Sequence, residues 1–306
     1  MSTNNYELVR EELKTLIHND ERTNQSSIAK SLGVSAASVS GFLNGTYKGD
    51  MSRMVEMVSG YLQRIKERSS FVKVDIPFIE TSIAKKFFEV ARICHLDNEI
   101  GVVVGQAGIG KTFACKEYAR KNMDAILIEA DPSYSPKVLF NEIAARINKD
   151  SETNLHKLFE SIVLALKDSD RLVIVDEAEN LPYRALEFLR RLYDRAGIGV
   201  LLVGMPKLVA NLRGKSGNFK QLYSRVGIFA DIPGILESDV EVLVNMAIPD
   251  HLKNGNANIW QSFFKQCRNN MRTLTKLVSR TVRIADINKT HVDADIVKAA
   301  TKTLIV

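Results

Sequence analysis

The chain contains 306 residues, a length that accommodates about two domains of roughly 150 residues each. Hydrophobic residues make up 45% of the chain and charged residues 25%, so the composition excludes a disordered chain, a collagen-like fibre and a disulfide-rich scaffold. The formal net charge of +6 permits a polyanionic partner such as nucleic acid but does not identify one.

The cysteines and the hydrophobic segments give no indication of secretion or of a membrane. Cys94, Cys115 and Cys267 are odd in number and widely spaced, which predicts reduced thiols. The first residues lack the basic start and apolar run of a signal peptide, and no segment reaches about 18 uninterrupted apolar residues. We therefore expect a cytoplasmic protein that does not associate with membranes.

Residues 1–70 are predicted to form an all-α helix-turn-helix domain. Ala29, which is small enough for two helices to cross, and Gly33, which allows the turn, have the spacing of that motif. Its second helix is expected at about 35–43, and an amphipathic helix follows over about 54–65. The alternative is a helical hairpin that contacts another protein.

The second helix of this motif presents few side chains that can distinguish bases. A sequence-specific reader usually offers arginine, asparagine or glutamine to base edges, whereas the outward positions here are mostly alanine and serine. We take Ser35, Ser38, Ser40 and Asn44 as candidate DNA contacts. The pattern predicts DNA binding with little sequence preference.

Residues 71–233 are predicted to form an α/β domain. Short runs of β-branched and other apolar residues alternate there with helical stretches, which indicates βαβ units. Continuous apolar strands are typical of a parallel sheet that is buried on both faces. The four predicted strands are 100–104, 125–129, 172–175 and 199–203.

A glycine-rich segment directly after the first predicted strand matches the phosphate-binding pattern G-x-x-x-x-G-K-[ST] in full. Glycines let the backbone wrap closely around a phosphate, and N–H groups at the start of the next helix present partial positive charge to it. In this pattern Lys111 contacts the β and γ phosphates of ATP, and the hydroxyl of Thr112 is a ligand for Mg²⁺. The predicted nucleotide-binding residues are Gly105, Gln106, Ala107, Gly108, Ile109, Gly110, Lys111 and Thr112.

Two adjacent carboxylates, Asp176 and Glu177, follow the third predicted strand. The carboxyl edge of a parallel sheet is where open α/β folds bind nucleotides. We expect Asp176 to hold Mg²⁺ and to contact the nucleotide site, and Glu177 to polarise the water that attacks the γ-phosphate. Together with the glycine-rich segment, the pair predicts an ATPase.

Residues 234–306 are predicted to be entirely helical. Six cations there are spaced three or four residues apart, as on one face of a helix, although Asn269-Asn270 is expected to divide that face between two helices. Such a face can bind the phosphates of a nucleic acid. The alternative is a charged surface that only contacts solvent. The candidate DNA contacts in this region are Lys265, Arg268, Lys276 and Arg280.

Two loops of the α/β domain combine cations with an aromatic side chain. This combination is typical of surfaces that follow a nucleic-acid backbone. Tyr134 and Lys137 lie in the first loop, and Lys215 and Lys220 lie in the second. We include all four residues as candidate DNA contacts.

The glycine-rich segment, the Asp-Glu pair and the helical C-terminal region together resemble the AAA+ class of P-loop ATPases. The resemblance implies a helical lid over 234–306 and an arginine finger that acts on a neighbouring subunit's nucleotide. Arg225 has the place of this catalytic finger, and Arg272, at the start of a lid helix, has that of a second, nucleotide-binding sensor. The class also has a polar sensor after the fourth strand, where this chain has Met205. This departure favours slow, switch-like hydrolysis.

With the helix-turn-helix in front, the chain resembles the transposition protein B family of bacteriophage Mu along essentially its whole length. The segments that carry the resemblance are 28–44, 47–50, 78–81, 105–112, 176–178, 217–218 and 224–225. Membership implies an ATP-dependent, largely sequence-independent binder of double-stranded DNA. Such a protein assembles with itself into helical filaments, selects target DNA and activates a DDE transposase in the cytoplasm of a bacterial host.

Two other functions remain open from the sequence. One is an ATPase similar to a helicase loader, which would prefer single strands. The other is a nucleotide-sensing helix-turn-helix repressor, which would bind one operator tightly. The plain second helix of the helix-turn-helix argues against the repressor, because it offers little to base edges.

Overall fold

The computed structural model describes residues 3–19, 23–70, 74, 76–213, 223–255 and 258–304. The chain divides into two compact units, Met1–Lys73 and Val74–Val306. Each unit has its own apolar core. No helix in the described part of the chain is long and apolar enough to cross a membrane.

The described part of the first unit consists of four helices around one apolar core. They are α1 (Thr3–Asn19), α2 (Gln25–Leu32), α3 (Ala36–Leu43) and α4 (Met51–Ser70). The core contains apolar residues at helical spacing, and Leu13, Ile28 and Phe42 are fully buried in it. The helical segments predicted for this part of the chain are present.

A three-residue turn, 33–35, joins α2 to α3. Gly33 adopts a left-handed conformation with φ of 68°, which residues with a side chain rarely adopt. At the start of α3 the Ser35 hydroxyl accepts a hydrogen bond from the N–H of Ser38 (3.1 Å) and so caps the helix. The local sequence therefore accounts for the turn.

The second unit contains a parallel sheet, the helices around it and a C-terminal helical region. The strands are β1 (Ile100–Gly105), β2 (Ala125–Glu129), β3 (Leu172–Asp176), β4 (Gly199–Gly204) and β5 (Val226–Ile232). The helices before and between the strands are α5 (Ser82–Leu96), α6 (Lys111–Lys121), α7 (Pro136–Arg146), α8 (Leu155–Leu166), α9 (Tyr183–Ala196) and α10 (Lys207–Arg213). The C-terminal helices are α11 (Glu237–Ala247), α12 (Ile259–Cys267), α13 (Met271–Asn288) and α14 (Ala294–Lys302). We call α11–α14 the lid.

The described strands pair in parallel in the order β2-β3-β4-β1-β5. Every residue of β1, β3 and β4 is buried, as expected for strands covered on both faces. In the register between β1 and β4, Ile100 lies opposite Val200 and Val104 lies opposite Gly204, so the carboxyl ends of both strands meet at one edge. The predicted parallel α/β architecture is confirmed.

The fifth strand, β5, is not among the four predicted strands. It forms an edge of the sheet, where Phe229 and Asp231 are exposed while Ala230 and Ile232 are buried. From Phe229 to Ile232, exposed and buried residues therefore alternate, as on a strand with one covered face. Residues 226–230 nevertheless form the apolar run Val-Gly-Ile-Phe-Ala, so the sequence contains a strand signal here that the prediction of four strands omits.

The lid has its own buried apolar residues, and Phe263, Leu274 and Val278 are fully buried. Between α12 and α13, Arg268 and Asn269 both adopt left-handed conformations, with φ of 50° and 57°. The chain therefore changes direction there. The basic face predicted for this region is divided between two helices, as expected.

A substitution at Gly199, the first residue of β4, tests how tightly the sheet packs against α5. A side-chain methyl group at this position would overlap the carbonyl oxygen of Cys94 and crowd the side chain of Leu172. We expect Gly199→Ala to lower the free energy of unfolding of the second unit by about 1–3 kcal/mol, the usual cost of overpacking. Denaturant unfolding followed by circular dichroism measures this change.

Gly60→Ala, in α4, is the control. An added methyl group there meets only the Arg64 side chain, at 3.9 Å. Alanine is favoured over glycine inside a helix by about 0.5–1 kcal/mol, so this variant should be at least as stable as the wild type. A Gly199→Ala protein that unfolds at the wild-type denaturant concentration would contradict the tight packing at β4.

Candidate active site

A cavity of about 520 Å³ lies at the carboxyl edge of the sheet. Its walls come from the segment before α5, the loop between β1 and α6, the ends of β3 and β4, and helices α11 and α13. Apolar residues at 76–79 form one part of the wall, while Lys111, Asp176 and Glu177 add charged groups. A nucleotide combines an apolar base with charged phosphates in the same way, so the cavity suits a nucleotide.

Residues 105–112, the phosphate loop, connect β1 to α6. Gly108 and Gly110 adopt left-handed conformations with φ of 79° and 109°, which favour glycine. Helix α6 begins at Lys111, directly after the loop, so the N–H groups of its first turn lie beside the cavity. This geometry can surround an anion with backbone N–H groups.

The side chain of Lys111 is held inside the site by the loop itself. Only 9% of the residue is exposed, and the ammonium nitrogen Nζ donates to the carbonyl oxygens of Gly105 (2.7 Å) and Gln106 (2.9 Å). Burial lowers the pKa of Lys111, and the negative charge of Asp176 acts in the opposite direction. A positive charge is therefore fixed at the point where the loop leaves β1.

Asp176 ends β3 and is almost fully buried. Its Oδ1 accepts a hydrogen bond from the N–H of Glu177 (2.9 Å), whereas no described residue donates to its Oδ2. Burial raises the pKa of Asp176, and the Thr112 hydroxyl opposes this rise by favouring the charged form. A buried carboxylate oxygen without a protein donor, near a hydroxyl group, is a donor set that fits a hard cation such as Mg²⁺.

Glu177 follows in a left-handed conformation with φ of 51°, which is uncommon for a residue with a side chain and costs free energy. Its side chain is exposed and lines the cavity. The side-chain amide of Asn180 donates both to Glu177 Oε2 (3.3 Å) and to the carbonyl oxygen of Ala130 (3.2 Å), the residue after β2. These contacts hold the carboxylate beside the cavity.

The lid is hydrogen-bonded directly to the phosphate loop. The side-chain amide of Asn270 donates to the carbonyl oxygen of Ala107 (3.0 Å), and its oxygen accepts the N–H of Thr273 (3.0 Å) and caps α13. The backbone N–H of Arg272 donates to the carbonyl oxygen of Gly108 (3.0 Å). Arg272 also lines the cavity. The start of α13 is therefore fixed against the loop.

Asn269 connects the lid to the chain that leaves β5. Its amide nitrogen donates to the carbonyl oxygen of Pro233 (3.1 Å), and its amide oxygen accepts the N–H of Ile235 (2.8 Å). Gly234 lies between them with φ of 137°, and a side chain there would overlap the Asn269 amide. In the sequence, the pair Asn269-Asn270 indicates only a break between helices, so these contacts were not predicted.

Arg225, the candidate arginine finger, does not line the cavity of its own chain. Its Nε donates to Asp194 on α9 (2.7 Å), and Asp194 also forms an ion pair with the buried Arg190. Glu187 pairs with Arg190 as well. The Arg225 guanidinium is therefore held by a network on α9.

The candidate DNA contacts of the first unit lie on α3 and at its ends. The hydroxyl groups of Ser35 and Ser38 are hydrogen-bonded to each other (2.9 Å), and the amide of Asn44 donates to the hydroxyl of Ser40 (3.4 Å). All four side chains remain at least partly exposed. They therefore stabilise the helix ends and still present a small, uncharged polar surface.

One of the candidate DNA contacts in the second unit, Tyr134, is buried. The residue is only 8% exposed and belongs to the apolar core, so little of it is available to stack on a base. Lys137, in the first turn of α7, is exposed. Lys215 and Lys220 lie outside the described residues, as does the 217–218 pair.

The candidate DNA contacts of the lid are exposed cations. Lys265 lies in the last turn of α12 and Arg268 follows its end, while Lys276 lies on α13. Arg280, also on α13, donates to the hydroxyl of Thr303 (2.8 Å) at the end of α14. The structure therefore presents these cations as two groups separated by the break at 268–269.

The α/β part of the second unit is similar to known proteins. A family model described as an AAA domain matches residues 95–212. The structure of the Aeropyrum pernix ORC2 protein, solved in ADPNP-ADP complexes, has a TM-score of 0.55 to this chain and is 16% identical to it. The match covers 77% of this chain and 71% of the ORC2 chain. That similarity concerns the fold. The fold and the site define an ATPase of the AAA class.

Two relatives are similar along most of the chain. The DNA transposition protein B of the Mu-like prophage FluMu of Haemophilus influenzae is 32% identical over 231 residues, 73% of this chain and 80% of its own length. The ATP-dependent target DNA activator B of Escherichia phage Mu is 30% identical over 241 residues, 78% of this chain and 77% of its own length. The chain belongs to the Mu transposition protein B family.

A substitution at Asp176 tests whether this buried carboxylate lowers the stability of the fold while ATP hydrolysis requires it. A buried carboxylate with one undonated oxygen destabilises the fold, and an amide of the same shape removes that charge. Without added divalent cations, we expect Asp176→Asn to raise the Tm of the second unit by about 2–4 °C, while ATP hydrolysis is lost. Differential scanning calorimetry and a phosphate-release assay measure the two effects.

Asp131→Asn is the control, because Asp131 is exposed and accepts hydrogen bonds from Ser133, which lower its pKa. This variant should not raise the Tm and should hydrolyse ATP normally. If Asp176→Asn melts below the wild type, the carboxylate stabilises the fold and the account of its burial is wrong.

Proposed function

We propose that the protein is an ATP-dependent, largely sequence-independent binder of double-stranded DNA that selects target DNA and activates a DDE transposase. It would act in the cytoplasm of a bacterial host. The observation that carries the proposal is the extended similarity to proteins named DNA transposition protein B and ATP-dependent target DNA activator B. The nucleotide site supplies the means by which ATP would control such binding.

The side chains of the site have separate proposed roles in hydrolysis. Asp176 and Thr112 would hold Mg²⁺, which supplies positive charge to the phosphates when bound. Lys111 contacts the phosphates from the loop, and Glu177 accepts the proton of the attacking water. Arg272, which is among the residues that line the cavity, would contact the phosphates from the lid.

The position of Arg225 supports hydrolysis between adjacent subunits. The ion pair with Asp194 holds the guanidinium on α9, outside its own cavity. A guanidinium held on the surface can stabilise phosphate charge in a neighbouring subunit. We therefore propose that subunits assemble into a filament in which ATP lies at each subunit contact, so that ATP favours assembly.

The proposed DNA contacts involve phosphates more than bases. In this proposal residues 1–70 form the DNA-binding helix-turn-helix, 71–233 bind the nucleotide, and 234–306 form the lid and contact DNA phosphates. The last of these segments carries ten basic and seven acidic side chains. A filament multiplies this small excess by the number of subunits on the duplex, which favours binding without sequence readout.

Equilibrium binding of labelled DNA tests the proposal. Two unrelated duplexes of equal length, and their single strands, are titrated with protein in the presence of a non-hydrolysable ATP analogue, ADP or no nucleotide. We expect both duplexes to bind only with the ATP analogue, with affinities within about tenfold of each other. Preference for single strands, or nucleotide-independent binding to one sequence, would contradict the proposal.

Two variants separate nucleotide binding from hydrolysis in the same assay. Lys111→Ala should lose ATP-dependent duplex binding and the filaments seen by negative-stain microscopy. Glu177→Gln should keep both and lose turnover by about 100-fold or more, so its filaments persist in ATP. Lys149→Ala, which removes an exposed lysine outside the cavity, is the control. Normal filaments from Lys111→Ala would refute ATP control.

A further inference from the structure

Glu179 connects the turn after β3 to the end of β4. It lies in a single 3₁₀ turn, Ala178–Asn180, and its Oε1 accepts the N–H of Met205 (3.1 Å), the residue after β4. Its carbonyl oxygen accepts the side-chain amide of Asn211 on α10 (3.1 Å). One hydrogen bond therefore holds the backbone of Glu179 and another holds its carboxylate at the end of β4.

The backbone of β4 leaves room for this carboxylate only because residue 204 is glycine. A side-chain methyl group on Gly204 would overlap Oε2 of Glu179 and approach the side chain of Leu208. The carboxylate therefore lies directly against the last residue of β4. This is the place after the fourth strand where Met205 offers no polar side chain to the site.

The second carboxylate oxygen of Glu179 lacks a partner among the described residues. Its Oε2 is buried, and no described residue donates a hydrogen bond to it. Glu179 lines the same cavity as Lys111, Asp176 and Glu177, and its charge acts on Lys111. A buried carboxylate oxygen requires a donor, and phosphate oxygens at neutral pH have little hydrogen to donate, so water is the natural partner.

We propose that Glu179 is a further catalytic residue, which holds the water that attacks the γ-phosphate and so replaces the absent polar side chain at position 205. This inference rests on the ATPase activity and not on DNA binding. The water oxygen forms a bond to the γ-phosphorus while the bond from that phosphorus to the bridging oxygen breaks, and ADP leaves with the electron pair. One proton of the water passes to Glu177, and Glu179 accepts a hydrogen bond from the other.

Glu179→Gln tests the proposal with little change of shape. The carboxylate of Glu179 accepts from both the Met205 N–H and the water, whereas glutamine has only one acceptor oxygen. If that oxygen accepts from the Met205 N–H, the NH₂ group of glutamine faces the water and cannot accept its hydrogen bond. We expect kcat to fall by about 30-fold or more, while KM for ATP and the affinity for ADP stay within about threefold. A role confined to bracing β4 would alter the Tm or the nucleotide affinity without such a fall in kcat.

Glu160→Gln is the matched control. Glu160 is an exposed glutamate on α8 that pairs with Arg195, and it does not line the cavity. It should hydrolyse ATP at the wild-type rate. ATP turnover is measured with and without duplex DNA, and ATP-dependent duplex binding is measured separately. A failure to bind DNA would count against the proposed function, whereas the turnover result would still test the role of Glu179.

A rescue experiment distinguishes water positioning from bracing. Glu179→Ala removes both acceptors, and Met205→Asn in that background returns a polar side chain to the cavity wall, where Met205 lies. We expect the double variant to recover at least about tenfold in kcat over Glu179→Ala. Wild-type kcat in Glu179→Gln, or an absence of recovery in the double variant, would overturn the proposal.

Discussion

The structure of the site depends on the hydrogen bonds between the lid and the phosphate loop. The backbone N–H of Arg272 donates to the carbonyl oxygen of Gly108, and the side-chain amide of Asn270 donates to that of Ala107. Carbonyl oxygens of the loop therefore accept the hydrogen bonds that hold the lid. The same loop can bind phosphates with its N–H groups. Any movement of the loop on nucleotide binding therefore acts directly on the first turn of α13.

Several features of the site cost stability, and the rest of the fold must offset that cost. Lys111 and Asp176 are charged groups with little exposure, and Glu177 has a left-handed backbone. The fully buried strands β1, β3 and β4 provide the rigid, apolar support on which such groups can be held. The charges meet at their carboxyl edge, which concentrates the destabilising groups where nucleotide chemistry needs them.

The parts of the fold that were predictable from sequence have local signals. Continuous apolar runs indicate the central strands, and the complete glycine-rich pattern and the Asp-Glu pair indicate the nucleotide site. The edge strand β5 also has an apolar run, at 226–230, which the four predicted strands do not include. The partners of Glu179, Asn269 and Asn270 are distant in sequence, so no spacing rule could identify them. Tyr134 lies in the core, and the pattern of an aromatic residue near a cation does not reveal whether the aromatic side chain is exposed.

Amide hydrogen exchange with a non-hydrolysable ATP analogue tests most directly whether loop and lid respond together. The account predicts that exchange slows in both segments, 105–114 and 268–276, and that Asn270→Ala weakens the effect on the second segment while the first still responds. Slower exchange in 105–114 of the wild type with no change in 268–276 would contradict the central claim that the phosphate loop transmits nucleotide binding to the lid.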